Sequence, residues 1–209
     1  ELDHVGEENR GAAQQQAPVH FLGAVVVQQQ QTGAAEIEAR HVIDGQQRLT
    51  TLQLLLDAAQ EVLEGLAVGA EARRLSRLVQ NDDDFIGGDP DSAFKIWPTN
   101  VDRDAFRHAM TNGLSVDGFA ETAIVQAHEF FQLQIREWLS PSSTEFPQRV
   151  HALEIALVAL LQMVVIDLEL VDDANVIFET LNARGTPLLA SDLIRNLILH
   201  RVRESGLNP

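Results

Sequence analysis

The sequence contains no cysteine. Disulfides, thiolate nucleophiles and cysteine zinc sites are thereby excluded, and the redox compartment stays open, with the cytoplasm as the default location. Lysine is nearly missing as well: Lys95 stands alone, in the run Ala93-Phe94-Lys95-Ile96-Trp97. A Walker-type phosphate loop needs a Gly-Lys-Ser/Thr step. None exists here, so a nucleotide site in this chain has to rely on arginine and backbone amides. Positive charge is also scarce overall. The formal net charge is −16, whereas nucleic-acid modules ordinarily carry a basic face. The chain by itself is not expected to bind duplex DNA tightly. No run of about 18 apolar residues occurs, so no membrane-spanning helix is expected. The first residues are acidic and polar, unlike a signal peptide.

What is present is the composition of a globular protein: 209 residues, of which 45% are hydrophobic, enough for one large domain or two small ones. Residues 1–18 are polar and read as a mobile lead-in, with the abrupt start expected of a piece of a longer protein. Residues 19–27 are rich in β-branched side chains and read as a buried strand. After a polar loop, residues 36–43 alternate, with Ile37, Ala39, His41 and Ile43 on one face, and the two runs are expected to pair as an antiparallel hairpin. His41 reads as a hydrogen-bonded core histidine, with a catalytic role as the sharper alternative.

From Leu49 the apolar residues fall at helical spacing to Leu66, with Gly65 and Gly69 marking the end. A second helix over residues 70–80 buries Leu75, Leu78 and Val79 and exposes Arg73, Arg74 and Arg77, a solvated face. Asp82-Asp83-Asp84 suggests calcium, but Ile86 stands where an EF-hand loop needs a ligand, and that reading is rejected. A short helix follows from a cap at Asn100 to about Met110. Another, capped by Asp117, runs from about Gly118 to Leu139 and is expected to bury Phe119, Ala123, Ala127, Phe130, Phe131, Ile135 and Leu139. A helix over 145–161 is apolar on most sides towards its end and should be central. Residues 162–171 then switch to alternation and read as a third, half-exposed strand.

The chemistry concentrates in Val42-Ile43-Asp44-Gly45-Gln46-Gln47-Arg48-Leu49-Thr50-Thr51, between a strand and the longest helix. A glycine turn there aims backbone N–H groups at whatever sits above the helix start, where the helix dipole favours an anion. Arg48 adds a planar, permanently charged fork. Local physics leaves two readings open. One is a phosphate site. In the other, Asp44 caps the helix, Gly45 makes the turn and Arg48 pairs with a surface acid.

A second concentration is Asn175-Val176-Ile177-Phe178-Glu179-Thr180-Leu181-Asn182-Ala183-Arg184-Gly185-Thr186-Pro187. Asp172 or Asp173 caps a helix running to about Ala183, with Gly185 as its left-handed terminal glycine and Pro187 blocking continuation, and Ser191 caps a last helix, Asp192 to about Glu204. Propensity accounts for the glycine, the proline and the caps. It does not account for Asn182, Arg184 and Asn196 beside one turn, which read either as a polar network or as turn chemistry. The expected fold class is α+β, mostly helical. Residues 1–66 form a partial α/β core carrying the first box, and 67–209 a helical extension with the returning strand and the Asn-x-Arg-Gly motif.

Together these stretches resemble the N-terminal domain family of GmrSD-type restriction endonucleases. The Asp-Gly-Gln-Gln-Arg box at 44–48 and Ile177 to Gly185 carry the resemblance. Phe21-Leu22-Gly23-Ala24-Val25 and Asp192-Leu193-Ile194-Arg195-Asn196 extend it over nearly the whole chain. The resemblance implies a ParB/sulfiredoxin-like mixed sheet with a helical extension, the box standing where relatives carry a nucleotide-binding turn. Sulfiredoxin chemistry itself needs a cysteine and is excluded. It further implies a nucleotide-binding, NTP-hydrolysing regulatory domain of a modification-dependent restriction system in bacterial phage defence. The partners would be the nucleotide, a separate HNH-type nuclease domain or subunit, modified DNA reached indirectly, and in one arrangement a second copy of the chain; no membrane is involved. Two family features, an earlier Pro-x-x-Gln-Arg-like segment and the HNH constellation, are not found in these residues. The expectation is that a piece of this extent holds part of the site and is inactive alone.

In this reading Gly45 gives close backbone approach, and the amides of Gly45 to Arg48 hold phosphate oxygens that Arg48 neutralises. Asp44 holds Mg²⁺ or orients water, and Gln46 or Gln47 positions that water. Asn182 and Arg184 close the site around GTP or ATP. The alternative is a non-catalytic sensor or scaffold that binds a nucleotide or modified base and controls the nuclease.

Overall fold

The computed structural model describes residues 18–33, 37–82, 86, 90–111 and 118–172. The fold is α+β and mostly helical, with a small three-stranded mixed sheet. In order come β1 (His20–Gln29), β2 (Arg40–Asp44), α1 (Gln46–Gly65), α2 (Gly69–Val79), α3 (Arg103–Met110), α4 (Ala123–Leu139), α5 (Phe146–Ile155) and β3 (Leu161–Leu168). The strands lie in the order β2-β1-β3. The chain divides into two compact units, each discontinuous in sequence: Glu1–Ala24 with Gln47–Val164, and Val25–Gln46 with Val165–Pro209.

The smaller unit is built on the expected hairpin. β1 and β2 pair antiparallel, Val27 opposite Val42 and Gln29 opposite Arg40, with the register broken between Val26 and Val27. Val25, Val26 and Val27 are all buried. Three consecutive buried β-branched residues mean that both faces of β1 are covered here, and such strands read as continuous apolar runs. The second strand is shorter than its alternation suggests, although Gln30 N–H still reaches the Ala39 carbonyl at 3.0 Å. Arg40 Nε donates to Asp167 at 3.0 Å. Gln28 Nε2 donates to the carbonyls of Glu169, at 3.3 Å, and Asp172, at 3.1 Å, which pins the turn that follows β3.

The larger unit is helical, and α1 is its axis. Leu54, Leu56, Ala59, Val62 and Leu63 enter one core with Leu75 and Val79 of α2, Phe106 of α3, Ile135 and Leu139 of α4 and Val150 of α5. The helix ends as expected near Gly65, but the left-handed residue is Ala67, with φ of 61°. The Ala67 and Val68 amides close back on the carbonyls of Glu64 and Leu63 at 2.9 Å each, so hydrogen bonds hold a conformation that alanine disfavours. In α2, Leu78 is exposed rather than buried. Arg74 on its outer face pairs with Glu71 and Glu154, so part of the arginine cluster has acidic partners.

Trp97 caps this core beside Phe94 and Phe106, with ring centroids 5.5 Å from each. Its indole N–H donates to the Asp91 carbonyl at 2.6 Å. Arg103 stacks over it at 4.5 Å and Arg107 at 5.4 Å. The Asp91 carboxylate accepts from both arginines, at 2.8 and 2.7 Å. Those hydrogen bonds, Arg107 first, hold the Asp91 carboxyl below its ordinary range.

Two helices depart from their expected faces. α4 begins at Ala123 rather than near Gly118, and the residues it buries are Val125, His128, Ile135 and Leu139. Ala123 and Phe130, expected inside, are exposed. Phe119, Ala127, Phe131, Ile135 and Leu139 lie in or against the core as expected, and the inner polar residue not expected there is His128, which a carboxylate satisfies. α5 is not central: it exposes Ile155, and the π-helical turn after it, Ala156–Leu160, exposes Val158. That turn runs directly into β3.

Candidate functional site

The Asp-Gly-Gln-Gln-Arg box occupies the junction of β2 and α1. Asp44 is the last residue of β2, half-buried and opposite Val26. Gly45 is buried with φ of +91°. A Cβ placed on it would lie 2.5 Å from Val25 Cγ1 and 3.2 Å from Val25 Cα. Both the dihedral and the contact therefore demand glycine. The turn can be this tight only because Gly45 places no side chain of its own against Val25 of β1.

α1 starts at the next residue, and its first turn carries no acidic side chain. The partial positive charge of the leading amides is thus not offset by a carboxylate within that turn. Gln46 Nε2 donates back to the Val42 carbonyl at 3.1 Å, closing the turn from outside, while Gln47 is exposed.

Arg48 lies against the first half of β1. Its guanidinium donates to the Ala24 carbonyl. Gly23 there has φ of +100°, and a Cβ on it would sit 3.4 Å from Arg48 Nε. A second glycine thus clears the place where the arginine stem rests. The Arg48 side chain is exposed. Of the expected site residues, Asp44, Gly45, Gln46, Gln47 and Arg48 form one continuous strand-to-helix junction. Asn182 and Arg184, with the helices expected around them, lie outside the described residues.

Sequence reasoning missed a second polar site inside the helical unit. Asp57 and Glu61 are four residues apart on α1, and His128 faces them from α4. His128 Nε2 lies 2.9 Å from Asp57 Oδ2 and 3.9 Å from Glu61 Oε2. The side chains are 6%, 2% and 10% exposed for His128, Asp57 and Glu61. Gln132, one turn beyond His128, donates to Glu61. Burial raises both carboxyls. Asp57 is pushed above its ordinary value, and Glu61 is pushed up to about 7 by desolvation and by the Asp57 charge beside it. A signal was present: Gln53, Asp57 and Glu61 form a polar row at four-residue spacing, and Gln53 and Asp57 are wholly inside. Gln53 donates to the Val79 carbonyl at 2.8 Å, joining α1 to the end of α2.

A mixed sheet whose glycine turn feeds a long helix, followed by a helical body, defines an α+β domain with an arginine-bearing helix start. The model of the GmrSD restriction endonuclease N-terminal domain matches residues 12–199. The chain belongs to that family, which makes it a domain of a restriction system in phage defence. No curated protein matches it. Among the described residues no helix is long and apolar enough to cross a membrane.

Proposed function

We propose that this domain binds a nucleoside triphosphate at the start of α1 and hydrolyses it to regulate a nuclease acting on modified DNA. The observation that carries the reading is the Gly45 turn. It presents the leading amides of a 20-residue helix without an acid in the first turn, and Arg48 follows three residues after the glycine. That is the donor set a phosphate group takes when no Walker lysine is available.

The residues fit a triphosphate with Mg²⁺ in kind: amides and a guanidinium for the phosphate oxygens, and one carboxylate, Asp44, for the cation. When bound, the cation supplies neutralisation of phosphate charge. The chain's own work is placement. The amides and Arg48 orient the phosphates, and exposed Gln47 orients the attacking water. Gln46, whose amide is turned back onto Val42, serves the turn. Asn182 and Arg184 enter this reading through their motif alone.

The test is titration of GTP and ATP with Mg²⁺ into the full-length protein and into its Arg48→Ala variant, with phosphate release followed in parallel. Binding that weakens at least about tenfold in the variant supports the reading. Equal affinity removes Arg48 from the site. Binding without phosphate release would favour a non-catalytic sensor, and loss of release in Asp44→Ala with retained fold assigns Asp44 to the chemistry.

A further inference from the structure

Asp57, Glu61 and His128 are separate from the glycine turn, and the restriction-system reading makes no use of them. Their ligand atoms, two carboxylate oxygens and an imidazole nitrogen, all lie within 4.8 Å of one another. We propose that they form a site for a divalent transition-metal cation of the Zn²⁺ or Mn²⁺ kind, tying α1 to α4.

Charge argues first. Two carboxylates one helical turn apart on the same face repel each other, and these two are buried. Buried charges are ordinarily paired or coordinate metals. One imidazole faces them, and among the described residues no lysine or arginine lines the adjoining cavity. A divalent cation would neutralise both acids and take the place of the proton between Asp57 and His128.

Geometry argues second. Ligand atoms around a tetrahedral zinc stand roughly 3.3 Å apart for bonds near 2.0 Å. The separations of 2.9 and 3.9 Å from His128 Nε2 bracket that value. Gln132 donates to Glu61 Oε2, the oxygen that faces His128, as supporting hydrogen bonds do around metal ligands.

The cavity argues third. A space of about 260 Å³ adjoins Glu61 and His128, and His108 of α3 lines it as well. His108 Nδ1 is buried and has no hydrogen-bond partner among the described residues. Buried polar atoms are rarely left so. A water held by a bound cation in this cavity would supply a partner for Nδ1. Three protein ligands with one open position is also the number that leaves a cation accessible to a small ligand.

The experiment strips the full chain with chelator and titrates ZnCl₂ and MnCl₂ by calorimetry, with thermal melts alongside. One equivalent of either ion should bind and raise Tm. Asp57→Asn and His128→Gln should each weaken binding by about 100-fold or more, while Glu129→Gln, at the exposed rim of the cavity, should bind like the parent. No stoichiometric binding of either ion to the stripped chain overturns the site. So does unchanged affinity in both ligand variants, which would place the ion elsewhere. Should those variants fail to fold, the imidazole ¹⁵N spectrum of the unaltered chain decides. Zn²⁺ must shift the Nε2 resonance of His128, and a spectrum in which that resonance stays in place refutes the proposal.

Discussion

The glycine turn and the acid–imidazole cluster satisfy polar groups in opposite ways. At the turn, the backbone makes the demand: Gly45 must have no side chain, and the chain that follows is exposed at Gln46, Gln47 and Arg48. In the cluster, side chains make the demand, and burial raises the cost of each charge. A turn of the first kind tolerates change in its exposed residues and none in its glycine. A cluster of the second kind tolerates loss of no single member, because whatever remains is stranded. The first suits an exchangeable ligand. The second suits a tightly held ion or proton.

The largest expected effect tests the stranding. In metal-free protein, His128→Ala should lower unfolding free energy by about 3–5 kcal/mol, the cost of leaving a buried carboxylate unpartnered. The loss is read by urea denaturation near neutral pH. The double variant with Asp57→Asn should recover part of it, because both members of the pair are then uncharged. An additive result would mean that the two groups do not depend on each other.

Gly45→Ala comes next, with a loss of about 2–4 kcal/mol from the left-handed dihedral and from overlap with Val25. Val25→Ala in the same chain should return the overlap share and leave the dihedral share. Denaturation curves of the four proteins separate the two. If the double variant recovers nothing, the conformation alone explains the glycine.

A surface ion pair gives the intermediate case. Asp91→Asn should lose about 1 kcal/mol at pH 7, since Arg103 and Arg107 remain partly exposed. The Asp91 carboxyl is held below its ordinary value of 3.8, so its contribution is full above that value. It fades as pH falls through the lower folded value. Melts from pH 7 to pH 2.5 should show the parent and the variant converging in acid. A gap of constant size would remove the charge from the explanation.

The smallest effect is Arg48→Ala, which should change stability by no more than about 0.5 kcal/mol, as exposed positions do, while weakening nucleotide binding. The contrast between a silent melt and a clear binding defect would mark the turn as a ligand site. A large stability loss would make Arg48 a structural clamp on Gly23 and Ala24.

The two regions also differ in how visible they are in the sequence. The turn is contiguous: strand, glycine, helix and arginine follow one another, and the hairpin and α1 were legible from alternation and from spacing. The cluster joins α1 to α4 across 71 residues, and each member alone reads as an ordinary surface group. Periodicity located α4 and most of its inner face, Ala127, Phe131, Ile135 and Leu139, but missed His128 and misplaced Ala123 and Phe130. Hydrophobicity favoured Phe130 as an inner residue, and only the partner carboxylate explains why His128 takes an interior position. Leu78 and Val158 misled for a similar reason, since apolar character does not say which neighbour is available to cover it. The end of α1 was placed correctly, yet the residue that reverses the chain is Ala67, whose conformation is held by backbone bonds that no composition reveals.

Trp97 gives the helical unit an internal reporter. The chain has two tryptophans and no tyrosine, so ultraviolet emission above 300 nm comes from indole alone. Trp138 is 48% exposed, whereas Trp97 is wedged between phenylalanines and two guanidinium planes. The two should therefore emit at different wavelengths. With Trp138 replaced by phenylalanine, a single colour would follow the assembly of α3 against the core, with no label attached.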